Sequence, residues 1–188
     1  MKRIAVFASG SGTNAENIAK YFKDSQNVMV VLVVSNNPLA GVHARMNQLG
    51  IPSVTFLKEE FADGSEIVKK LADFQVDWIV LAGFLKMIPE TIRNVYPDRI
   101  INIHPALLPK HGGKGMYGMR VHEAVVADGD TESGITIHYI NDRYDEGQII
   151  FQVSCPVLCS DTPEDVAAKV HALEYKHFPE VIDKLLND

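Results

Sequence analysis

The sequence predicts an α/β protein, a single-domain Rossmann-like open sheet that is mostly parallel, with an antiparallel C-terminal part and helices on both faces. Short continuous apolar runs, such as Ile4-Ala-Val-Phe-Ala8 and Val28-Met-Val-Val-Leu-Val-Val34, suit strands buried on both faces. Segments with apolar residues at helical spacing separate them, and that alternation is the pattern of a parallel sheet. Late in the chain two strand-like runs follow each other across a short polar loop, which favours an antiparallel pair.

The first strand, Ile4 to Ala8, ends in Ser9-Gly-Ser-Gly12, and Thr13 or Asn14 is placed to cap a helix reaching Phe22. Val28 to Val34 is the second strand, stopped by Ser35-Asn-Asn-Pro38. A helix from Gly41 to Leu49 closes on Gly50 with Pro52 just beyond, and Ser53 to Leu57 is a weaker third strand. Asp63-Gly-Ser-Glu66 has the capping-box pattern of a helix running to about Phe74. Trp78 to Leu81 is the fourth strand, Pro89 opens a short helix to about Tyr96, and Ile100 to Ile103 is the fifth strand. A helix is expected from Met119 to Ala127, then strands over Gly134–Ile140 and Gln148–Val153. Thr162-Pro-Glu-Asp165 combines an N-cap, a first-turn proline and early acids, and opens the last helix, to about Leu185. Ligands of such sheets bind at the carboxyl ends of the strands, so those ends hold the motifs of interest.

The chain has 188 residues, 46% apolar and 22% charged, which fits one globular domain. A chain of this length buries roughly 70% of its unfolded surface and needs no staple. Lys plus Arg number 18 against 24 Asp plus Glu, a net charge of −6 that disfavours general nucleic-acid binding but leaves room for a local anion site. The two cysteines, Cys155 and Cys159, form neither a zinc pattern nor a disulfide framework. No apolar run reaches the ~18 residues of a membrane span, and Met1-Lys2-Arg3 leads straight into a strand, so a cytoplasmic protein without membrane contacts is expected.

Two places carry chemistry. The glycines of Ser9-Gly-Ser-Gly-Thr-Asn14 let backbone N–H groups approach an anion, and the helix start adds partial positive charge; a tight turn without a ligand is the alternative. Gly10-x-Gly12-x-x-Ala15 also fits the dinucleotide fingerprint, but Ser35-Asn36-Asn37 stands where that fold needs an acid, so phosphate fits better. Asn102 and His104 lie two residues apart on one strand face, and an amide beside an imidazole suits oxyanion stabilisation and proton transfer. Asp145, in the loop between the last two strands, would favour the charged imidazole if it lay near. A histidine bonded to backbone with an unrelated turn aspartate fits the same residues equally well. No metal site is expected from His104, His111, His122, His138, His171 or His177, and His138, alternating with Ile135, Ile137 and Ile140, reads as a semi-buried strand residue.

At Asn102-Ile-His-Pro-Ala-Leu-Leu-Pro-Lys110 the chain resembles the folate-dependent formyltransferases. Ser9 to Asn14, Ala82-Gly-Phe-Leu-Lys-Met-Ile88 and Asp145-Glu-Gly-Gln-Ile-Ile150 are similar, in order, to the branch of that family acting on 5-phosphoribosylglycinamide in purine biosynthesis. The similarity continues to Glu174-Tyr-Lys-His-Phe-Pro179. The resemblance implies transfer of a formyl group from 10-formyltetrahydrofolate to the substrate amine, giving 5-phosphoribosyl-N-formylglycinamide and tetrahydrofolate, with no metal. In this reading Asn102 binds the formyl oxygen, His104 donates a proton and stabilises the oxyanion, and Asp145 raises the pKa of His104. Gly12, Thr13 and Asn14 hold the phosphate, and Glu174 contacts the substrate. Leu85, Lys86, Met87 and Ile88, with Asn102, serve the folate, against which the Asn141–Asp145 loop closes.

The implied partners are small molecules alone, the chain being a monomer or homodimer. About residues 1–100 form the phosphate-binding half, and about 101–188 the catalytic and folate-closing half. An arginine used by some members near the folate tail has no evident equivalent around Phe61 to Ser65, where Lys58 or Lys86 is expected to serve, and the segment Gly112 to Arg120 is longer than in some relatives. The alternatives are a formyltetrahydrofolate hydrolase, a transfer-RNA formyltransferase (for whose extra C-terminal domain there is no room) and a nucleotide-binding regulator with a decayed site.

Overall fold

A computed structural model of the chain describes residues 1–187. Strands β1 (Lys2–Phe7), β2 (Val28–Ser35), β3 (Ser53–Thr55), β4 (Trp78–Leu81), β5 (Ile100–His104), β6 (Glu132–Tyr139) and β7 (Ile149–Pro156) form a seven-stranded sheet in the order β3-β2-β1-β4-β5-β6-β7. β1 is parallel to β2 and β4, β2 is parallel to β3, and β6 and β7 are antiparallel. The fold class is the one the apolar runs predict.

By internal contacts the chain divides into two compact units, Met1–Ile101 with the segment from Ile182 on, and Asn102–Val181. In the first, Ile4, Ala5, Val6 and Phe7 of β1 are fully buried, as expected of a central parallel strand covered on both faces. Helices α1 (Thr13–Tyr21) and α2 (Gly41–Leu49) follow β1 and β2, and α2 closes on Gly50 at φ 69°. The cap of α1 differs from expectation: Gly12, not Thr13 or Asn14, occupies it, at φ 75°, and it makes no side-chain cap bond. The left-handed turn needed to leave the loop excludes a side-chain cap there.

The second difference lies after β3, which stops at Thr55. Residues 58–63 form α3 (Lys58–Asp63), started by the Glu60 carboxylate, whose Oε2 accepts the Leu57 N–H at 2.6 Å. Gly64 at φ 78° ends it, and α4 (Ser65–Asp73) begins directly after. Asp63 is therefore the end of one helix, not the cap of the next; its pattern is right but a left-handed glycine sits inside it. Helix α5 (Glu90–Val95) starts one residue after Pro89.

The second unit holds α6 (Met119–Ala127), the β6–β7 hairpin and most of α7 (Pro163–Asn187). At the start of α7, Thr162 Oγ1 accepts the Asp165 N–H at 3.2 Å and Asp165 Oδ2 accepts the Thr162 N–H at 2.9 Å, a reciprocal cap. Among the described residues no helix is long and apolar enough to cross a membrane.

Candidate active site

In the first unit, one hydroxyl ties three strand ends together. Ser9 Oγ donates to Asn36 Oδ1 at 2.6 Å and accepts the Leu85 N–H at 2.9 Å, while the Ser9 N–H donates to the Gly83 carbonyl at 3.1 Å. The asparagine that replaces a dinucleotide-binding acid thus pins the glycine loop. Helix α2 sets the direction of the next two peptides. Its Val42 N–H donates to the Gly10 carbonyl at 3.2 Å, and its Arg45 Nε donates to the Ser11 carbonyl at 2.9 Å. In a planar trans peptide the carbonyl and the following N–H point opposite ways, so the Ser11 and Gly12 N–H groups face away from α2. Neither donates to a backbone carbonyl among the described residues. A Cβ at Gly12 would lie 2.4 Å from the Val42 side chain, so a tight turn accounts for that glycine. The two outward N–H groups ahead of a helix start are what an anion would use.

The segment after β4 divides by exposure. Leu85 and Met87 are exposed, at 47% and 37%, and Lys86 is exposed as well. Ile88 is 2% exposed and its carbonyl accepts Arg93 Nη1 at 2.8 Å, so its side chain belongs to the core and its carbonyl is taken. Phe84, between Phe7 and Phe61 with ring centroids 5.4 and 5.3 Å away, anchors the segment.

In the second unit the end of β5 brings a polar cluster together. His104 is buried, and its Nε2–H donates to the His111 carbonyl at 2.8 Å. A carbonyl only accepts, so the ring's standing proton is on Nε2 and its Nδ1 faces Asp145 Oδ2, 3.6 Å away. That distance is an ion-pair contact, beyond a hydrogen bond. Burial pushes the His104 pKa below its ordinary value, against the Asp145 charge and the His111 carbonyl, both of which raise it. The resemblance anticipates the direction in which Asp145 acts; the net position is lower because desolvation is the larger influence. For Asp145 itself burial is again the largest influence and raises the pKa. His138, His104 and the Gly113 N–H, which donates to Oδ2 at 2.9 Å, outweigh it, and the carboxyl lies below its usual range.

His138 is the functional candidate that sequence reasoning missed. It is 1% exposed, and its Nδ1–H donates to the Tyr139 carbonyl at 2.8 Å, leaving Nε2 to accept the Asn102 Nδ2–H at 3.1 Å. The same Nε2 lies 3.7 Å from Asp145 Oδ1. His138 therefore orients the Asn102 amide, a role invisible in its alternation with isoleucines. Glu174 is buried in this unit, its Oε2 accepting His171 Nδ1–H at 2.9 Å, and its charge raises the basicity of His104. The described residues contain no group of three or more His, Cys, Asp or Glu that would hold a metal ion.

The sequence model of the family described as formyl transferase matches residues 2–182. The Arabidopsis thaliana protein named phosphoribosylglycinamide formyltransferase, chloroplastic, is 44% identical over 195 residues, taking in 100% of this chain and 66% of that protein. The chain thus spans just under two thirds of that relative's length. The Bacillus subtilis (strain 168) protein named phosphoribosylglycinamide formyltransferase is 35% identical over 191 residues, 99% of this chain and 95% of the relative. The crystal structure of phosphoribosylglycinamide formyltransferase from Streptococcus pneumoniae TIGR4 matches with a TM-score of 0.87 at 38% identity, over 98% of this chain and 99% of that one. With the Asn102, His104 and Asp145 cluster in place, the match across nearly its whole length means that the chain belongs to the formyl transferase family.

Proposed function

We propose that this protein transfers the formyl group of 10-formyltetrahydrofolate to the amine of 5-phosphoribosylglycinamide, a step of purine biosynthesis. The observation that carries the reading is the His104–Asp145 contact at 3.6 Å beside an Asn102 amide held by His138. The relatives' names supply the acceptor.

When the amine attacks the formyl carbon, negative charge collects on the formyl oxygen. The Asn102 amide, one of whose hydrogens is fixed on His138, donates its other hydrogen to that oxygen. His104 keeps its Nε2–H on the His111 carbonyl and takes its second proton at Nδ1, on the Asp145 side. It then provides positive charge and gives that proton to the departing folate nitrogen, and the proton that the attacking amine loses on becoming the formamide restores the ring. Burial makes that proton easy to give up, and Asp145 keeps it available. The Ser11 and Gly12 N–H groups, with those of Thr13 and Asn14 in the first turn of α1, take the phosphate. The residues present suit the formyl donor: the exposed Leu85 and Met87 side chains match a flat, partly apolar pterin, with Ile88 supporting them from the core. Glu174 serves the substrate side. In this reading about residues 1–100 bind phosphate and about 101–188 carry the transfer.

The test is an acceptor screen with purified protein and 10-formyltetrahydrofolate, following tetrahydrofolate formation. Turnover is expected only with 5-phosphoribosylglycinamide, and dephosphorylation of the acceptor should weaken its binding. Formate release without any acceptor would identify a hydrolase instead, and saturable folate binding without turnover would identify a regulator.

A further inference from the structure

The segment following the Asn102–Lys110 motif touches both members of the His104–Asp145 pair with its backbone. The His111 carbonyl accepts the His104 Nε2–H at 2.8 Å, and two residues later the Gly113 N–H donates to Asp145 Oδ2 at 2.9 Å. Between them, a Cβ at Gly112 would lie 2.5 Å from Leu108 Cδ2 and 3.3 Å from the Asp145 Cβ, so this strap lies against the aspartate. Three residues therefore bracket the pair, one end holding the imidazole and the other the carboxylate.

A bracket of loop backbone needs an anchor, because His111 sits at φ 53°, a setting that most side chains avoid. The His111 ring supplies it. Its Nε2–H donates to Asp130 Oδ2 at 2.7 Å, and its side chain is only 8% exposed. Asp130 sits after α6, where its N–H donates to the Val125 carbonyl at 3.2 Å, and its other oxygen accepts Lys110 Nζ at 2.6 Å. Asp128 Oδ2 stands 3.9 Å from His111 Nδ1. The anchor is thus built on a helix end, tied to it by a backbone hydrogen bond.

We propose that His111 is a positioning residue: its ring, moored to Asp130, fixes the 111–113 strap whose carbonyl sets the tautomer and orientation of His104 and whose amide holds Asp145. The consequence for the reaction rests on the formyl-transfer reading above, while the consequence for the His104 ring does not. With the mooring cut, the strap carbonyl no longer holds Nε2–H, and His104 loses one of the influences that raise its pKa. Asp145, His138, Glu174 and His122 remain the charged or titratable groups facing the ring. The pKa then falls, and the basic limb of the pH–rate profile moves to lower pH.

The experiment compares His111→Leu, which removes the ring donor, with His111→Gln, whose side-chain amide reaches where Nε2–H stood. Asp130→Ala, which removes the oxygen that accepts the His111 ring N–H, stands in should His111→Leu fail to fold. Nitrogen-15 NMR of the free protein, with His104 assigned from its own variant, reads the Nε2–H resonance and its titration; steady-state rates read the reaction. Expected are a protected Nε2–H in the wild type and in His111→Gln, and its loss in His111→Leu. The latter should also show kcat lower by roughly 10-fold with both KM values within about twofold. An unaltered His104 resonance together with unaltered kcat in a folded His111→Leu or Asp130→Ala protein would overturn the proposal. A wild type that transfers no formyl group would overturn the functional reading alone, since the ring spectra still decide the positioning role.

Discussion

Asp145 has a φ of 58°, and aspartate and asparagine tolerate that setting better than most residues. Asp145→Asn therefore keeps the chain path and an oxygen for the Gly113 N–H, and removes only the charge that faces His104. Because burial already depresses the His104 pKa and Asp145 is the main counterweight, the substitution lowers it further. The protonated imidazole is then lost at lower pH as pH rises, so the basic limb of the pH–rate profile should shift to lower pH. We expect kcat to fall by roughly 10²–10⁴-fold with little change in either KM. Because the two residues act as a unit, adding His104→Ala should cost far less than the product of the single losses. Fully multiplicative losses, or an unmoved pH profile, would separate them. The sequence exposes this trio because strand period puts Asn102 and His104 on one face and the motif resembles a known one. His138 stays hidden because the contact of its Nε2 with Asn102 depends on how β6 is placed beside β5, a tertiary fact with no local sequence signal. The low net pKa of His104 is hidden for the same reason, since desolvation is a property of the packed state.

Helix α2 acts on the glycine loop as an element, pulling the Gly10 and Ser11 carbonyls toward itself so that their partner N–H groups turn outward. Arg45 is held for this by its ion pair with Glu16, which also pairs with Lys20 at 2.5 Å. Arg45→Met should let the Ser11–Gly12 peptide rotate and raise KM for the phosphorylated acceptor by roughly 10-fold, equivalent to about 1.4 kcal/mol, with the folate KM unchanged. Initial rates against phosphorylated and dephosphorylated acceptors check it, and equal weakening of both would place the effect elsewhere. Gly12→Ala is a harsher change, meeting Val42 and a left-handed backbone at once, and should cost roughly 2 kcal/mol or more in urea unfolding. The glycine loop, both of its flanking elements and the Gly50 stop were readable from local pattern. Its control by α2 was not, because Arg45 is far from it in sequence, and the α3–α4 break was not, because Asp63-Gly-Ser-Glu66 carries a helix-start pattern around a glycine that ends a helix. The exposure split within Leu85–Ile88 was equally unreadable, since four residues of an apolar turn do not say which one faces the core.

At the scale of the molecule, the buried histidines set how the protein meets acid. Burial lowers the pKa of both His104 and His122, and His122 Nδ1 has no hydrogen-bond partner among the described residues. In the unfolded chain a histidine titrates near pH ~6.5, so below that pH the unfolded state binds more protons and stability falls as pH falls. His171 works the other way: its bond to Glu174 raises its pKa, so its contribution is present in acid and lost as pH rises, but the side chain is half exposed and solvent screens it. The paired carboxylates Asp130 and Asp145, with lowered pKa values, keep their contributions until pH drops below their unfolded value of about 3.9. The interval from about pH 6.5 to about pH 4.5 therefore reports on the histidines. We expect the urea midpoint to fall steadily across it, and to fall less in His122→Phe, which removes both the titrating group and the unpartnered nitrogen. Both histidines belong to the Asn102–Val181 unit, so the amide-exchange protection factors of β6, taken relative to the intrinsic rate at each pH, should drop on acidification before those of β1 do. A flat midpoint through the interval would mean that neither imidazole is held neutral by the fold. An equal fall in the wild type and His122→Phe would assign the whole acid response to His104.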